Sequence, residues 1–470
     1  MKKTLMFVVL FGLLITNLSW ADWPMFQRDT RHTGRANIIA AQTNNLKWQL
    51  DLGVNISPYG GPSVGLYNGS RRIVVGTDDG VYVIDTSGFI FEHISTGFPV
   101  ETVVAIYNNT LYFGAGDTLY AYQPSGLYWS QPLDDNDLTH VTIQGDTIYV
   151  CDEDRLWSFS LSGDFYWMSD NLSGNIIYAA PAVDQEGNVY VVSSQALWDD
   201  YVLYAYRSNG NLWWSYDYLA FEGNGVQMTP TLDREGNVYL ATYWSSFWPS
   251  SIQSLKDGDR NWKHSAEALH SSPAYHNGVI YYGTTEGLEA RSSDGTLLWA
   301  YYTPSAVKYS SPAIGRDGTI YIGTEGGRFL AITNSGGAKW SSDVLQSAAS
   351  SPAIDENGVV YVAAGQSLFA FADSTTDLPP DNSNLAAPTH IFIYPNPFNS
   401  SAKISYYLTE AGWVKIDLYD IRGSHIKALA NQPQDKGQHQ VSLSGLSSGI
   451  YFVRFKTNNY SHTKRATVIK

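Results

Sequence analysis

Cysteine is almost absent from this sequence, and charged residues are scarce. Cys151 is the single cysteine among 470 residues, so an internal disulfide is excluded and stability has to come from packing and strand pairing. Charged residues account for 16% of the chain and aromatic residues for 14%, a balance typical of β-rich extracellular proteins. Cys151 ends a Val-Tyr strand pattern, which predicts a small core residue rather than a reactive thiol.

Long apolar runs are also missing beyond the first 21 residues. Residues 5–15 are apolar but too few to span a bilayer, and they follow two lysines. Ser19-Trp20-Ala21 has the small-x-small pattern of a cleavage site, so residues 1–21 are predicted to be a secretory signal peptide. We therefore expect the mature chain to be exported and to contain no transmembrane segment.

The signature motifs of common enzyme classes are absent as well. The sequence contains neither His-Glu-x-x-His nor a Walker loop. Gly-x-Ser-x-Gly occurs at residues 61–65 and 445–449, but neither copy lies at the strand-to-helix elbow that a serine hydrolase needs. Most carboxylates stand in Asp-x-x-Gly turns, where they bond the local backbone. The sequence therefore predicts no catalytic residue and a protein that is not an enzyme.

Positive charge is confined largely to the end of the chain. Residues 391–470 contain seven Lys and three Arg against three Asp and one Glu, a net charge of +6. The whole chain carries −15, so residues 1–390 carry −21. An acidic body with a basic tail predicts two domains with different roles, and the acidic body argues against nucleic acid as a partner.

A repeat of about forty residues fills most of the chain. Each copy combines Ser-Pro-Ala, a Gly turn, a Val-Tyr strand, a Leu-Tyr-Ala strand, and a Trp four residues after a Gly, as in the copy that starts at Ser311-Pro312-Ala313. Eight copies of four short strands predict an all-β, eight-bladed propeller. The regular Trp predicts packing between blades. The inner strands are placed near Pro62, Val104, Val141, Pro181, Pro230, Pro273, Pro312 and Pro352.

The two ends of the repeat region predict how the ring closes. The last copy lacks its Gly-to-Trp strand, whereas residues 46–50, before the first inner strand, have that character. We expect this segment to complete the eighth blade beside Phe369, because a closed ring leaves no exposed sheet edge. Closure is expected to leave a central tunnel.

The Trp strands, the Gly turns and an opening Trp23-Pro24-Met25-Phe26 with Thr33-Gly34 resemble the pyrroloquinoline-quinone-like (BamB-like) propeller family over residues 22–372. The family includes quinoprotein dehydrogenases and the propeller subunit of the outer-membrane β-barrel assembly machine. The resemblance to the dehydrogenases implies a quinone (PQQ) between a Trp and a disulfide of adjacent cysteines, with calcium nearby. One cysteine cannot form that disulfide, so no cofactor is expected; a PQQ-dependent oxidoreductase and an envelope assembly scaffold remain alternatives.

Residues 373–390 are predicted to be a polar linker, and residues 391–470 a small β-sandwich of about seven strands. Pro395-Asn396-Pro397 and a basic close at Lys464, Arg465 and Lys470 resemble the type A C-terminal sorting domain of the type IX secretion system. The resemblance implies the type IX secretion machinery as a partner, export through the periplasm, and a secreted or cell-surface protein. Cleavage and anchoring of the tail stay open, and an accessory sandwich without a sorting role is the alternative.

Aromatic residues are the candidate ligand-binding groups. Two blades carry insertions between their second and third strands, on the face where links enter the inner strands. Together they form a ring that can stack on a sugar, a peptide or a partner loop; the alternative is that the rings pack on each other. The insertions contain Trp198, Tyr201, Tyr243, Trp244, Phe247 and Trp248, and the links contribute Tyr59, Tyr178, Gln227, His270 and Tyr309.

An acidic cluster on the same face is a weak calcium candidate, and solvated loop charge is the favoured interpretation because the spacing does not match an EF-hand. It comprises Asp134, Asp135, Asp137, Asp152 and Asp154. The sequence as a whole predicts an exported propeller that binds a polysaccharide, a peptide or another envelope protein.

Overall fold

A computed structural model gives the fold of the repeat region and of the basic tail. It describes residues 22–135, 138–172, 174, 176, 178–195, 200–217, 228–242, 250–266, 270–345, 347–373, 391–394, 398–408, 411–457 and 461–469. In these ranges all regular secondary structure is β-strand. None of the described segments forms a helix with the length and hydropathy needed to cross a lipid bilayer. The predicted signal peptide and most of the predicted linker lie outside these ranges.

Eight four-stranded antiparallel sheets form the blades, and the first strand of the chain, β1 (Leu46–Asp51), belongs to the last of them. Blade 1 contains β2 (Ser63–Tyr67), β3 (Ser70–Thr77), β4 (Gly80–Asp85) and β5 (Ile90–Ser95). Blade 2 contains β6 (Ala105–Tyr107), β7 (Thr110–Ala115), β8 (Thr118–Gln123) and β9 (Gly126–Pro132). Blade 3 contains β10 (Thr142–Gln144), β11 (Thr147–Cys151), β12 (Leu156–Ser160) and β13 (Phe165–Met168). Blade 4 contains β14 (Ala182–Val183), β15 (Val189–Gln195), β16 (Asp200–Tyr206) and β17 (Leu212–Asp217).

The second half of the ring repeats this order. Blade 5 contains β18 (Thr231–Leu232), β19 (Val238–Thr242), β20 (Ser251–Lys256) and β21 (Asp259–Ser265). Blade 6 contains β22 (Ala274–His276), β23 (Val279–Thr284), β24 (Gly287–Ser292) and β25 (Leu297–Tyr302). Blade 7 contains β26 (Ala313–Ile314), β27 (Ile320–Gly323), β28 (Phe329–Ile332) and β29 (Ala338–Ser342). Blade 8 contains β30 (Ala353–Ile354), β31 (Val360–Ala364) and β32 (Ser367–Phe371), with β1 as its outer strand.

The ring closes as the sequence predicts. Strand β1 pairs antiparallel with β32, so that Trp48 is opposite Ala370 and Gln49 is opposite Phe369. The predicted eight-bladed, all-β architecture is confirmed, including the use of an early strand to complete the last blade. Cys151 is fully buried in blade 3, and burial raises the pKa of its thiol well above the ordinary value.

Tryptophan side chains join neighbouring blades. The indole N–H of Trp299 in blade 6 donates to the carbonyl of Asn334 in blade 7 at 2.9 Å, and its ring lies against Gly336. Gly336 has φ +83°, and a Cβ there would lie 2.7 Å from the indole. The same pairing of Trp with a Gly of the next blade recurs at Trp48/Gly88, Trp129/Gly163, Trp167/Gly210, Trp214/Gly258 and Trp262/Gly295. The predicted role of the repeated Trp in packing between blades is confirmed.

Hydroxyl side chains join the blades closer to the axis. The backbone N–H of Ser272 donates to Oγ of Ser311 in the next blade at 3.0 Å, and Ser311 N–H donates to Oγ of Ser351 at 2.9 Å. Thr229 and Ala180 continue the series, with Thr229 N–H donating to Ser272 Oγ and Ala180 N–H to Thr229 Oγ1, each at 2.8 Å. These bonds explain why the repeat begins with Ser. Its buried hydroxyl accepts a backbone N–H of the preceding blade that has no partner within a strand.

Residues 22–41, before β1, form a plug across one end of the ring. Its carbonyls accept N–H groups from the free inner edges of six blades, at distances of 2.7–2.9 Å. The six donors occupy the same position, two residues after the start that the sequence marks with Pro or Val: Val64, Ile106, Val183, Leu232, Tyr275 and Ile314. An inner edge would otherwise leave these N–H groups without an acceptor, so the plug completes the hydrogen bonding of the ring.

The plug also fills the channel, so the expected open central tunnel is wrong. Phe26 is 5% exposed and packs against Val103 and Ala180 of two different blades. Its ring stacks on His140 of a third blade, with centroids 4.4 Å apart and planes 5° apart. Filling the axis removes apolar surface from water, which stabilises the closed ring more than an empty channel would.

The basic tail folds into two sheets around a separate core. One sheet has the order β33 (Ile391–Tyr394), β34 (Ser401–Leu408) and β37 (Gly437–Ser444). The other has the order β36 (His425–Gln434), β35 (Gly412–Asp420), β38 (Gly449–Lys456) and β39 (Ser461–Val468). Buried side chains from both sheets, among them Ile404, Ile416 and Phe455, form one cluster. The predicted small β-sandwich is therefore confirmed, whereas the exact domain boundaries stay predictions.

Candidate functional site

Four aromatic side chains from four blades meet at the end of the channel opposite the plug. Tyr59, Tyr178, His270 and Tyr309 each stand three residues before the proline that opens an inner strand. The plug bonds two residues after that proline, so the aromatic residue and the bond to the plug are five positions apart in each of these blades. The repeat thus brings equivalent positions of distant blades to one place, which we call the aromatic mouth.

The rings of the aromatic mouth contact one another across the axis. Tyr59 of blade 1 stacks on Tyr178 of blade 4, with centroids 4.2 Å apart and planes 9° apart. Tyr309 meets Tyr59 edge-on at 5.2 Å, and His270 meets Tyr309 edge-on at 6.1 Å. All four side chains are partly exposed, so the cluster closes the channel while presenting ring surface to solvent. The structure therefore brings together four of the five link residues that the sequence singles out.

Charged groups flank these rings. Tyr178 donates its hydroxyl to Glu101 Oε2 at 3.0 Å, and Lys308 Nζ lies 4.9 Å from the Tyr309 ring centroid. Burial, aided by the positive charge of Lys308, lowers the pKa of His270 to about 4, so this imidazole is neutral at pH 7. The mouth thus combines aromatic faces with one carboxylate, one ammonium and a neutral imidazole.

Sequence reasoning missed Glu101 and Lys308. Glu101 occupies the same position before Val104 as Tyr59 does before Pro62, so the repeat register alone identifies it. Lys308 directly precedes Tyr309 and could have been found in the same way. Neither residue is aromatic, and the repeat that contains Glu101 has Val104 in place of the proline that marks this position in most other blades.

The backbone at Tyr178 is strained. Its φ is +58°, a left-handed value that costs a non-glycine residue about 1–3 kcal/mol. The stacked contact with Tyr59 and the hydrogen bond to Glu101 hold the side chain in this conformation. Residues kept in such conformations cluster at ligand-binding sites, where the strain fixes side chains in advance of binding.

The remaining aromatic candidates are placed only in part. The backbone of Tyr201 lies in β16, opposite Ser194, at the end of that strand beside the mouth face. Trp198, Tyr243, Trp244, Phe247, Trp248 and Gln227 lie outside the described residues. Their role in binding stays a prediction.

The acidic cluster is built around a cation of the protein itself. Arg155 forms ion pairs with Asp134 and with Asp154, the latter at 3.7 Å. Asp152 is fully buried, and its Oδ2 accepts the indole N–H of Trp157 at 2.7 Å. Asp135 is among the described residues but belongs to no group of possible metal ligands there. Asp137 lies outside the described residues. Among the described residues, no three His, Cys, Asp or Glu side chains come together as metal ligands.

The donor set does not fit the quinone and calcium of the dehydrogenases. Cys151 is buried inside blade 3 and has no adjacent cysteine. The mouth where a planar cofactor would enter is occupied by Tyr59 stacked on Tyr178. Several of the described carboxylates are held by local turns, as at Asp233, whose Oδ1 accepts the N–H groups of Glu235 and Asn237 at 3.0 and 2.8 Å. We derive no chemistry through these groups.

The basic residues of the sorting motif are partly described. Lys464 and Arg465 lie in β39, opposite Val453 and Phe452 of β38, and burial lowers the pKa of Lys464. They are therefore components of the outer sheet of the sandwich rather than an extended end. Pro395, Asn396, Pro397 and Lys470 lie outside the described residues.

Comparison with known proteins identifies both regions. The family profile described as outer membrane protein assembly factor BamB matches residues 32–301 and 288–378. The profile described as secretion system C-terminal sorting domain matches residues 392–470. No curated protein matches the sequence.

One solved structure supports the propeller fold. BamB from Moraxella catarrhalis is 15% identical with a TM-score of 0.53, and the match covers 71% of this chain and 98% of that one. At this identity the likeness establishes the fold alone. The extracellular domain of a putative one-component system from B. thetaiotaomicron is 12% identical with a TM-score of 0.39, covering 87% of this chain and 68% of that one.

The sorting domain implies contact with the type IX secretion machinery and export to the cell surface or the medium. The propeller profile extends over far more than half of the chain. The chain therefore belongs to the outer membrane protein assembly factor BamB family, as an exported eight-bladed propeller that ends in a type IX secretion sorting domain.

Proposed function

We propose that this exported propeller is a binding module and that the aromatic mouth is its recognition surface, with a polysaccharide, a peptide or another envelope protein as the ligand. The observation that carries the proposal is the meeting of Tyr59, Tyr178, His270 and Tyr309 from four blades at one partly exposed place. Aromatic faces of this kind stack on sugar rings and on side chains of a peptide.

The arrangement supports binding because it is organised before a ligand arrives. Contacts among the rings and the hydrogen bond between Tyr178 and Glu101 fix the side chains, which lowers the entropy lost on binding. Glu101 and Lys308 supply an acceptor and a donor beside the rings. Aromatic and apolar side chains with a few polar groups among them are the usual lining of a ligand site.

A polar groove on the same face extends the surface available to a ligand. It lies between blades 7 and 8 and has a volume of about 360 Å³. Gln49, Asp51, Ser347 and Ser367 contribute polar groups, and Phe369 contributes an apolar wall. Hydroxyl-rich ligands such as polysaccharides match a lining of this kind.

Affinity electrophoresis of the full chain through gels with soluble polysaccharides tests the proposal. Replacing Tyr309 by Ala is expected to weaken retardation at least fivefold, because one stacking face is lost while the blades keep their packing. Tyr128→Ala is the matched control, since this tyrosine is 50% exposed on the outer strand of blade 2. Trp244→Ala together with Trp248→Ala tests the predicted loop contribution in the same gels.

A random peptide library covers the other ligand class. The Tyr309→Ala variant is compared with the wild-type protein on every polysaccharide and peptide that the wild-type protein binds. Unchanged binding to all of them would refute the aromatic mouth as the recognition surface. A large fall in melting temperature for the Trp244 and Trp248 variants would show that these residues belong to the core. A quinone absorbance appearing when the protein is mixed with PQQ and calcium would favour the oxidoreductase alternative.

Family membership supports a second candidate, an envelope assembly scaffold, because the matching profile is described as an assembly factor. The sorting tail argues for a site of action outside the outer membrane rather than within the periplasm. Cross-linking in intact cells separates the two functions: a scaffold is recovered with outer-membrane barrel proteins, whereas a surface binding module is recovered with extracellular ligand.

A further inference from the structure

A pocket of about 390 Å³ lies on the face opposite the aromatic mouth. The plug forms one side of it, and the ends of the inner strands of blades 5 and 6 form the other, with Tyr275 in its wall. Four arginines line the pocket: Arg28, Arg31, Arg35 and Arg234. This concentration of positive charge stands out in residues 1–390, which carry a net charge of −21.

Three of the four arginines are not explained by ion pairs within the described part of the protein. In the described part of the chain, no carboxylate oxygen lies within 4.0 Å of the guanidinium of Arg31, Arg35 or Arg234. Arg35 Nε is buried and has no hydrogen-bond partner among the described residues. A buried donor without an acceptor is unfavourable, so a ligand that brings an acceptor to Arg35 would remove this cost on binding.

The two carboxylates of the pocket do not neutralise it. Asp29 uses both oxygens to hold the plug turn: Oδ1 accepts the N–H groups of Arg31 and Thr33 at 3.1 and 3.2 Å, and Oδ2 accepts the Thr33 hydroxyl at 2.5 Å. Glu235 is exposed in the turn between β18 and β19 of blade 5. Four guanidinium groups against two carboxylates leave a net positive lining. Burial lowers the pKa of Arg28; Asp29 and Asp22 oppose this shift, and the nearby positive charge of Arg35 reinforces it.

We propose that this pocket binds a small ligand carrying a doubly charged oxyanion, of the phosphate class. Guanidinium groups donate paired N–H bonds in a planar fork that matches phosphate oxygens. A single carboxylate requires one such fork, whereas several guanidinium groups that line one pocket match a dianion with several acceptor oxygens. The volume accommodates a phosphate group with one sugar-sized substituent. The site does not depend on the proposed role of the aromatic mouth, since the two lie at opposite ends of the channel.

Isothermal titration of the full chain with inorganic phosphate, at constant ionic strength balanced with chloride, tests the assignment. We expect saturable binding at one site, weakened at least tenfold in Arg31→Gln/Arg35→Gln. Arg260→Gln is the control, because it removes an equal charge from an exposed position on the outer strand of blade 5 and is expected to leave binding unchanged. Glucose 6-phosphate is expected to bind at least as tightly as phosphate.

Because Arg31 and Arg35 belong to the plug, a variant outside the plug keeps the test decisive if the double variant fails to fold. Arg234→Gln changes an exposed turn of blade 5 and is expected to weaken phosphate binding at least threefold with an unchanged melting temperature. Unchanged affinity of this variant would overturn the assignment. Binding of acetate as tightly as phosphate would also overturn the assignment. So would binding to phosphatidylglycerol vesicles with no binding of inorganic phosphate or glucose 6-phosphate.

Discussion

Individual residues of the repeat act at the junctions between blades rather than within one blade. Ser311 accepts an N–H from the preceding blade, and Trp299 stacks on a glycine of the following one. The residues that make the repeat visible are therefore those that specify how one sheet sits against the next. Each junction is small, but each is repeated around the ring, so that the contributions add.

A comparison of Gly336 with Gly278 separates the cost of a left-handed backbone conformation from the cost of displacing a Trp side chain between blades. Both have a left-handed φ, +83° and +80°, but a Cβ at Gly336 would meet Trp299 at 2.7 Å, whereas Gly278 has nothing within 4 Å. We expect Gly278→Ala to lower the free energy of unfolding by about 1–2 kcal/mol, the cost of the backbone conformation. Gly336→Ala should lose about 1–3 kcal/mol more because the indole is displaced. Urea unfolding measures both, and equal losses would show that the Trp contact contributes nothing.

His140 gives the protein a dependence on pH. The N–H of Val103 donates to His140 Nδ1 at 2.8 Å, so this nitrogen carries no proton in the fold. Complete burial, with the nearby His32, lowers the pKa of His140 to about 3, against about 6.5 in an unfolded chain. The stabilisation by the neutral ring is complete above pH 6.5 and is lost as pH falls towards 3, because only the unfolded chain takes up the proton in that range.

Thermal unfolding between pH 8 and pH 4.5 tests this dependence. We expect the wild-type protein to lose about 2 kcal/mol through His140 alone between pH 7 and pH 5. His140→Gln should show a shallower slope, while His264→Gln, which changes a histidine on the outer strand of blade 5, should keep the wild-type slope. Parallel slopes for all three proteins would contradict the assignment to His140.

Two elements at the start of the mature chain hold the whole ring. Strand β1 pairs with β32 and covers the outer edge of blade 8, and the plug covers the inner edges of six blades. The outer edge of blade 8 is covered by strand pairing, and the inner edges by one or two backbone hydrogen bonds each to the crossing segment. A sheet edge left open would remain available for association with another chain.

Deleting residues 22–36 is expected to prevent stable folding of the propeller. Six inner-edge N–H groups would lose their acceptors at a cost of about 1–3 kcal/mol each, which together exceeds the stability of about 5–15 kcal/mol typical of a domain. Circular dichroism and thermal unfolding of the truncated protein measure the loss. A synthetic peptide of residues 22–41 should restore folding when added in trans, and a scrambled peptide should not. A truncated protein with the wild-type melting temperature would show that the plug is not needed.

The whole molecule combines an acidic propeller with a basic sandwich whose cores share no residue. Separate cores allow the tail to act as a sorting signal without contributing to the fold of the propeller. Both ends of the propeller channel are filled, by Phe26 and by the aromatic mouth, so the axis is not an open path through the ring.

Removing residues 391–470 should leave the propeller folded and keep it inside the cell. The melting transition of the propeller is expected to stay within a few degrees of its value in the full chain, because no core cluster is cut. Cell fractionation and surface labelling measure the location. Fusing the tail to an unrelated exported reporter provides the converse control, and surface display of the truncated propeller would contradict the sorting role.

Local pattern was sufficient to predict the architecture. The recurring Gly, Pro and Trp, the period-two strands and the strand missing from the last copy are all readable within about forty residues, and they specify eight blades and the closing role of β1. The same register predicts that Tyr59, Tyr178, His270 and Tyr309 lie at one end of the channel, and the structure shows their rings in contact there.

The filled channel, the junction hydrogen bonds and the arginine pocket required the folded structure, because each joins residues distant in the chain. Gln27 reaches the carbonyl of Pro273 at 2.8 Å across 246 positions, and the arginines of the plug meet Arg234 in the same way. Periodicity reports the side-chain pattern of each sheet, but it contains no information on the backbone groups left open at the inner edges. Those unsatisfied donors, rather than any motif, explain why the first residues of the mature chain cross the axis.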